Sequence, residues 1–234
     1  MELLSVTKVN MKVKSKSSKV NRAWINDHVN DPYVKLAKLE SYRARAAYKL
    51  KEIDEAFDLI KPGQLVVDLG STPGAWSQYV RRKMSPKTAT GGGAAAGELN
   101  GSIIALDILP MEPVPGVVFL LGDIREAEVL QRLAAAMQGR QADLVLSDMA
   151  PNLSGIASAD AARIENLVEL ALEFAQAHLT SQGSLVAKVF HGAVYEPLVK
   201  RFRESFHEVK RIKPRASRDK SAETFLVGSG VKST

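Results

Sequence analysis

Short runs rich in valine, isoleucine and leucine alternate with helical stretches from residue 65 onwards, and this alternation constrains the fold more than any other feature. The strand-like runs are LVVDLG (65–70), SIIALD (102–107), VVFLLGD (117–123), ADLVLSD (142–148), GSLVAKVF (183–190) and ETFLVG (223–228). The stretches between them predict helices at 72–84, 126–138, 162–179 and 196–206. Apolar strands that are each followed by a helix indicate an α/β fold, with a mostly parallel sheet covered by helices on both faces.

One further helix is predicted upstream of the strands. Apolar residues recur on one helical face at Tyr42, Ala46, Leu50, Ile53 and Phe57. The sequence Lys-Pro-Gly at 61–63 is expected to end this helix, because proline and glycine both interrupt helical backbone.

Two segments have a composition that does not suit a packed core. Residues 1–22 are polar and basic without a helical or strand period, so we expect a flexible basic arm followed by a single domain at 23–234. Residues 85–101 are rich in glycine and alanine, which predicts a surface insertion within that domain.

The net charge of +6 is distributed unevenly along the chain. Residues 1–51 carry 12 basic and 4 acidic side chains, residues 52–199 carry 10 and 18, and residues 200–234 carry 10 and 4. This order suggests that both ends face a polyanion such as nucleic acid. A solvated tail and a basic surface helix would give the same pattern.

Composition excludes several classes of protein. The chain has no cysteine, which rules out a disulfide scaffold, a thiolate nucleophile and zinc-finger or iron–sulfur sites. No apolar run reaches the roughly 18 residues that span a bilayer. The N-terminal sequence MELLSVTKVN lacks the apolar stretch of a secretory signal. We therefore expect a cytoplasmic protein that contacts no membrane and holds no metal.

Polar residues end several of the predicted strands. In open α/β sheets, ligands bind beyond the carboxyl ends of the strands, so these residues are candidates for a site. They are Asp68, Gly70, Asp107, Asp123, Asp148 and Lys188.

The loop after the first strand, VVDLGSTPGAW (66–76), is not a dinucleotide-binding GxGxxG loop. Gly70 allows a tight turn, and Gly74 allows a ligand to approach the backbone at a helix N-terminus. A strand–Asp–x–Gly turn followed by an acid on the next strand is the arrangement that binds S-adenosylmethionine (SAM). Asp107 would then accept hydrogen bonds from the ribose and Asp123 from the adenine amino group. Each acid alone could be a helix cap, and a nicotinamide cofactor remains open at this point.

Two further strands end in chemically suggestive residues. Asp148, in SDMAPNLSG (147–155), is followed by a rigid proline turn, which places a carboxylate at the sheet edge or merely caps a loop. Lys188 lies inside the apolar strand GSLVAKVF, and buried lysines are rare unless they are paired or functional. Burial disfavours the charged form of a lysine, so this residue is a candidate base. The alternative is a lysine at an exposed strand end.

Four motifs together resemble one family. RARAAYKL, VVDLGSTPGAWSQYV, SDMAPNLSG and VAKVFHG are similar, in this order, to motifs of the FtsJ/RlmE family, SAM-dependent 2′-O-ribose methyltransferases of large-subunit ribosomal RNA. The resemblance runs from about residue 24 to 227. It implies a Rossmann-like methyltransferase fold with a mostly parallel seven-stranded sheet.

The resemblance also implies the site residues. The family's Lys–Asp–Lys–Glu catalytic tetrad matches Lys49, Asp148, Lys188 and Glu223 of this chain. The family's SAM pocket matches Gly74, Trp76, Asp107, Asp123 and Asp148. Two departures are Ser71-Thr72 and Ala75, where the family usually has AAPGGW, and the insertion at 85–101. Neither touches the tetrad, although the loop change bears on SAM affinity.

The resemblance implies a mechanism and a partner. Lys188 would be the general base, Asp148 its orienting partner, and Lys49 and Glu223 positioning groups. The substrate would be a uridine of large-subunit ribosomal RNA, free or in the assembled subunit, and the enzyme a monomer. The basic arm and the C-terminal basic residues would bind RNA phosphates. Those C-terminal residues are Lys210, Arg211, Lys213, Arg215, Arg218 and Lys220.

Three alternatives stay open from sequence. The same transfer could act on transfer RNA or a messenger RNA cap. The chain could be a non-catalytic RNA-binding assembly factor, although an intact tetrad argues against a retired enzyme. A nucleotide-dependent oxidoreductase is disfavoured by the absence of GxGxxG.

Overall fold

A computed structural model describes residues 30–85, 98–152, 154–218 and 220–233, which contain one seven-stranded sheet with helices. The strands are β1 (Leu65–Leu69), β2 (Ser102–Asp107), β3 (Val117–Leu121), β4 (Ala142–Ser147), β5 (Leu179–Phe190), β6 (Phe206–Ile212) and β7 (Glu223–Val231). The helices are α1 (Pro32–Leu39), α2 (Ala46–Phe57), α3 (Ala75–Met84), α4 (Ala127–Ala136), α5 (Ala157–His178) and α6 (Tyr195–Ser205).

The sheet runs in the order β3-β2-β1-β4-β5-β7-β6 and is mostly parallel, as the sequence predicts. Neighbouring strands from β3 to β5 pair in parallel. Strand β7 is inserted between β5 and β6 and pairs with both in the antiparallel sense. Because β7 runs backwards, its first residue, Glu223, lies opposite Phe190 at the carboxyl end of β5.

Helices cover both faces of the sheet, which confirms the predicted layers. On one face, α2 and α3 pack against the sheet through a core that contains Leu50, Ile53, Trp76 and Phe225. On the other face, α4, α5 and α6 form the larger core with the inward-facing side chains of β1, β4 and β5. All five residues of β1 are buried, which fits a central strand covered on both sides.

Several predicted boundaries differ from those observed. Helix α2 begins at Ala46 and ends at Phe57, where Asp58 adopts a left-handed conformation with φ of 53°. The chain therefore leaves the helix before it reaches the Lys-Pro-Gly sequence that was expected to end it. Strand β5 begins at Leu179 rather than 183, and the final residue of the helix predicted at 162–179 belongs to this strand.

Strand β6, FHEVKRI, does not appear among the strand-like runs of the sequence. It lies at the edge of the sheet, and of its seven residues only Phe206 is buried. Charged residues on an edge strand protect it from pairing with other chains, and they also interrupt the apolar pattern that predicts the other strands.

The sheet order creates a crevice between β1 and β4. After β1 the chain continues towards β2 and β3, whereas after β4 it continues towards β5, so the carboxyl ends of β1 and β4 flank a topological switch point. Open α/β sheets bind ligands at this place. Asp68 and Gly70 lie at the end of β1, and Asp148 follows β4.

The predicted arm at 1–22 lies outside the described residues, as do residues 86–97 of the predicted insertion. Across the described part of the chain, no helix is both long enough and apolar enough to span a bilayer.

Candidate active site

Lys188 lies near the end of β5 and is only 7% exposed. Its Nζ atom is 3.0 Å from Asp148 Oδ1 and donates a hydrogen bond of 2.5 Å to the backbone carbonyl of Asp148. The lysine is therefore inside the protein rather than at an exposed strand end. Parallel pairing of β4 and β5 aligns Ser147 with Ala187, which brings the two charged residues that follow into contact.

Lys49 and Glu223 form a second ion pair beside the first. Lys49 projects from α2, and its Nζ lies 2.7 Å from Oε1 and 2.8 Å from Oε2 of Glu223. The hydroxyl of Ser217 donates to Oε1 over 2.8 Å. Burial acts to raise the pKa of Glu223, but Lys49, Ser217 and Lys188 together hold it below its ordinary value. Glu223 is therefore an ionised and fully engaged carboxylate.

The four residues predicted as a tetrad meet around the end of β5. Lys188 lies two residues before Phe190, whose partner on β7 is Glu223, so both ion pairs share this end of the sheet. The charge of Lys188 also acts on Glu223. Two lysine side chains and two acidic side chains thus form a mixed cluster that can bind and orient a polar group.

Asp68, beneath this cluster on β1, is fully buried. Its Oδ2 accepts a hydrogen bond of 2.6 Å from the Ser77 hydroxyl, while Oδ1 has no partner. Burial raises the pKa of Asp68 to about 7; the Ser77 hydrogen bond opposes this, and the charges of Asp148 and Asp107 add to it. A carboxyl group that titrates near neutrality therefore lies at the crevice.

The acids that end β2 and β3 are held differently. Asp107 accepts a backbone hydrogen bond from Thr72 and one from Leu109, each of 2.8 Å and each on a different oxygen. Each oxygen keeps a lone pair that can accept from a ligand. Asp123 is paired with Arg125, which lowers the pKa of its carboxyl against the opposing effect of burial.

Gly74 and Trp76 do not present side-chain surface to the crevice. Gly74 has φ of 99°, and a Cβ there would lie 2.7 Å from Arg43 Nη1 and 2.8 Å from Met111 Sδ. The space next to Gly74 is therefore occupied by side chains of the protein rather than left open for a ligand. Trp76 is buried, and its indole donates to the Ala46 carbonyl over 2.8 Å, so only its backbone could contact a ligand.

Arg43 fastens the loop after β1 to the loop after β2. Its guanidinium donates to the carbonyls of Pro73, Glu112 and Pro113 over 3.0, 2.5 and 2.7 Å. Two loops that flank the crevice are therefore held together by one side chain. The sequence motif RARAAYKL contains Arg43, but nothing in its spacing indicates this role.

Unpaired polar atoms mark where a ligand fits. Among the described residues, four buried side-chain polar atoms lack a hydrogen-bond partner, and three lie around the carboxyl ends of β1 and β4. These are Asp68 Oδ1, Ser71 Oγ and Asp148 Oδ1. Since buried polar groups are normally paired, a ligand that carries positive charge or hydrogen-bond donors suits this place.

A cavity of about 280 Å³ adjoins the Lys49–Glu223 pair. It is lined by Ala44, Arg45, Ala46, Lys49, Arg218, Ser221 and Glu223. Arg45 is paired with Asp31 and donates to the Ala216 carbonyl. Burial, with the charge of Arg218 adding to it, lowers the pKa of Arg45. Two arginines beside one cavity favour an anionic occupant.

The C-terminal basic residues divide into two groups. On β6, Lys210 pairs with Glu208 over 3.0 Å and Arg211 with Glu196 over 3.4 Å. On the loop between β6 and β7, Arg218 lines the cavity and Lys213 donates to the Ser221 carbonyl. Of these four residues, Arg218 on the loop is the one that lines the cavity beside Lys49 and Glu223.

The fold and the site define a doubly wound α/β enzyme with a cofactor crevice at its switch point. The model of the FtsJ-like methyltransferase family matches residues 42–231, and the chain belongs to this family. It is therefore a methyltransferase.

Sequence similarity to known proteins covers nearly the whole chain. A protein of Albidiferax ferrireducens named Ribosomal RNA large subunit methyltransferase E is 82% identical over 222 residues, which cover 95% of this chain and 99% of that one. A protein of the same name from Variovorax paradoxus is 69% identical, with 95% and 98% covered. The crystal structure of a ribosomal RNA methyltransferase from Plasmodium falciparum superimposes with a TM-score of 0.68 at 26% identity, covering 81% of this chain and 98% of that one.

Proposed function

We propose that this protein transfers a methyl group from SAM to the ribose 2′-hydroxyl of a uridine in large-subunit ribosomal RNA. The observation that carries the proposal is a buried lysine, Lys188, held against Asp148 at the mouth of the crevice. The names of the relatives support ribosomal RNA as the substrate. A 2′-hydroxyl exists in RNA and not in DNA, so the reaction requires RNA.

The residues of the crevice fit SAM. When bound, SAM supplies a methyl group on a positively charged sulfonium sulfur. Asp107 would hold its ribose hydroxyls and Asp123 its adenine amino group, while Gly74 and Trp76 would contribute backbone. Asp68 Oδ1 and Asp148 Oδ1, which are buried and accept no hydrogen bond, suit a ligand whose sulfonium and ammonium groups are both cationic.

Lys188 is the proposed general base. A ribose hydroxyl is a poor nucleophile until its proton leaves, and a positioned side chain that accepts the proton typically contributes 10²–10⁴-fold. Bound SAM would supply the methyl group to the 2′-oxygen, and its sulfur would keep the electron pair of the broken carbon–sulfur bond. The hydroxyl proton passes to Lys188 Nζ, a role that requires the uncharged amine.

The other three residues prepare this transfer. Asp148 Oδ1, 3.0 Å from Lys188 Nζ, stabilises the ammonium that forms when the proton arrives. The pair Lys49–Glu223 positions the ribose, since its charges are already balanced and it lies beside the cavity. The four groups interact, so their titration belongs to the cluster rather than to single residues.

The cavity beside Lys49 is the proposed place for the RNA backbone next to the target ribose. Arg45 and Arg218 line it, and phosphate groups flank every ribose of an RNA chain. The basic arm at 1–22 is proposed to add contacts to more distant phosphates, which gives steeply salt-dependent binding. The enzyme is proposed to act as a monomer in the cytoplasm.

The test is transfer of labelled methyl from SAM to RNA isolated from a strain that lacks this protein. Large ribosomal subunits, naked ribosomal RNA and transfer RNA are offered separately. We expect label in large-subunit RNA, at one uridine 2′-oxygen by mass spectrometry of digested nucleosides. Label confined to transfer RNA would overturn the ribosomal substrate, and binding of RNA without any transfer would indicate an assembly factor.

A further inference from the structure

The loop between β6 and β7 delivers a hydroxyl to the tetrad. Ser217, on this loop, is buried, and its Oγ donates to Glu223 Oε1 over 2.8 Å. Lys49 is bound to both oxygens of the same carboxylate. Glu223 therefore has one partner from α2 and one from the loop, and the two together fix the plane of its carboxylate.

Helix α2 holds this loop from two sides. The carboxylate of Glu52 accepts backbone hydrogen bonds from Arg215 over 2.5 Å and from Ala216 over 3.0 Å, and a third from the Tyr33 hydroxyl over 3.1 Å. Arg45 donates to the carbonyl of Ala216. Every polar backbone group of Ala216 is thus engaged by a side chain of this helix or its cap.

The two residues that anchor the loop and the lysine that binds Glu223 lie on one face of the helix. Arg45, Lys49 and Glu52 are spaced by four and three residues, a spacing that places them side by side on one face. The helix that carries Lys49 therefore also sets the position of Ser217. Glu223 is therefore held by the helix directly, through Lys49, and by the loop that the helix anchors, through Ser217.

We propose that Ser217 is a positioning residue for methyl transfer, and that Glu52 acts through it. Ser217 holds the carboxylate of Glu223 in the orientation and charge state in which it pairs with Lys49. Its hydroxyl donates to Glu223, so any effect on the reaction passes through that carboxylate. The inference rests on the proposed function of the tetrad, and it extends the site to two residues outside the predicted set.

The charges that face Glu223 explain the effect expected from removing the hydroxyl. Lys49 faces it from α2, Lys188 from β5 and Arg45 from the start of α2. Burial opposes these charges, and the hydrogen bond from Ser217 contributes to holding the pKa of Glu223 low. Without the hydroxyl, that pKa rises, so the carboxylate is protonated at a higher pH.

The experiment compares Ser217→Ala with Ser217→Thr, which keeps a hydroxyl. Ser184→Ala is the matched control, because it removes a serine–serine hydrogen bond of 2.9 Å between β5 and β7 away from the tetrad. For Ser217→Ala we expect kcat to fall about tenfold, the loss of one hydrogen bond to a charged group. The KM for SAM stays unchanged, and the acid limb of the kcat profile moves to higher pH. Ser217→Thr restores both, and Ser184→Ala changes neither.

A double-mutant cycle tests the route of the effect. In a Glu223→Gln background, Ser217→Ala should cost nothing further in kcat, and Glu52→Gln should lower kcat less than Ser217→Ala. An equal loss of kcat in both backgrounds overturns the inference. A fall in melting temperature with an unchanged acid limb also overturns it, because the serine is then only structural. This cycle decides the matter if Ser217→Thr does not fold.

Failure here differs from failure of the proposed function. If the unmodified protein transfers no methyl to any RNA, the proposed function fails. If the unmodified protein does transfer methyl to RNA and Ser217→Ala behaves like Ser184→Ala, only the inference fails.

Discussion

The two lysine–carboxylate pairs of the site have the same composition and opposite states. In the pair Lys49–Glu223, both carboxylate oxygens lie within 2.8 Å of the ammonium and one accepts from Ser217 as well. In the pair Lys188–Asp148, Asp148 Oδ1 lies 3.0 Å from Lys188 Nζ but accepts no hydrogen bond, and Nζ donates to the backbone carbonyl of Asp148 instead.

This difference distinguishes a pair that suits positioning, Lys49–Glu223, from a pair that suits proton transfer, Lys188–Asp148. A carboxylate whose oxygens are both engaged stabilises one geometry, whereas a buried oxygen that accepts no hydrogen bond can accept one from a ligand. The surroundings differ in the same sense. Asp148 lies near the buried acid Asp68, while cations surround Glu223. This contrast supports the proposed roles, with proton transfer at Lys188–Asp148 and positioning at Lys49–Glu223.

The largest expected effect is a difference in methyl transfer between variants of the two lysines. Lys188→Arg keeps the positive charge but cannot release a proton at any working pH, so methyl transfer should fall about 10³-fold. Lys49→Arg keeps the ion pair with Glu223 and should retain transfer within about tenfold. Initial rates with labelled SAM measure both, and calorimetry checks that SAM binding survives. Equal losses in the two variants would contradict the assignment.

The next effect is on stability and concerns the satisfied pair. The depressed pKa of Glu223 contributes stability above the ordinary pKa of a glutamate, and this is lost as the pH falls through the lower pKa of the folded state. Glu223→Gln should lower the free energy of unfolding by about 1–3 kcal/mol at pH 7, with the difference closing in acid. Denaturant unfolding from pH 3 to pH 8 measures it, and a difference that widens in acid would contradict it.

The smallest effect has the opposite sign and belongs to the open pair's neighbour. Burial raises the pKa of Asp68 to about 7, so its contribution to stability is present at low pH and lost as the pH rises through that value. Asp68→Asn should raise the melting temperature by about 2–4 °C at pH 8, which corresponds to ~1 kcal/mol, and by less at pH 5. Thermal scans at the two pH values suffice. A larger gain at pH 5 would show that Asp68 is not protonated in the folded protein.

The strands that carry the site's acids could be predicted because their signal is local. An apolar run that ends in Asp68, Asp107 or Asp148 marks a buried parallel strand and its carboxyl end in one stretch of sequence. The burial of Lys188 follows from the same run. Strand β6 could not be found this way, since its exposed edge is charged.

The contacts within the site could not be predicted from local pattern. Lys49 and Glu223 are 174 residues apart and meet only because β7 runs backwards beside β5. Their pairing in the sequence argument came from the family resemblance alone. Ser217 and Glu52 lie in no periodic pattern that indicates their contacts. Arg43 donates to the backbone of two loops that are distant from it in sequence, so its contacts exist only in the folded chain.

The inserted antiparallel strand has a consequence for how the protein matures. Strand β7 is the last described strand along the chain, and it separates β5 from β6. During synthesis β1 and β4, which flank the crevice, leave the ribosome before β7 does. Glu223 is supplied only when the hairpin of β6 and β7 docks. A growing chain therefore contains the strands that flank the crevice before it contains Glu223, and the proposed tetrad is complete only with the last described strand.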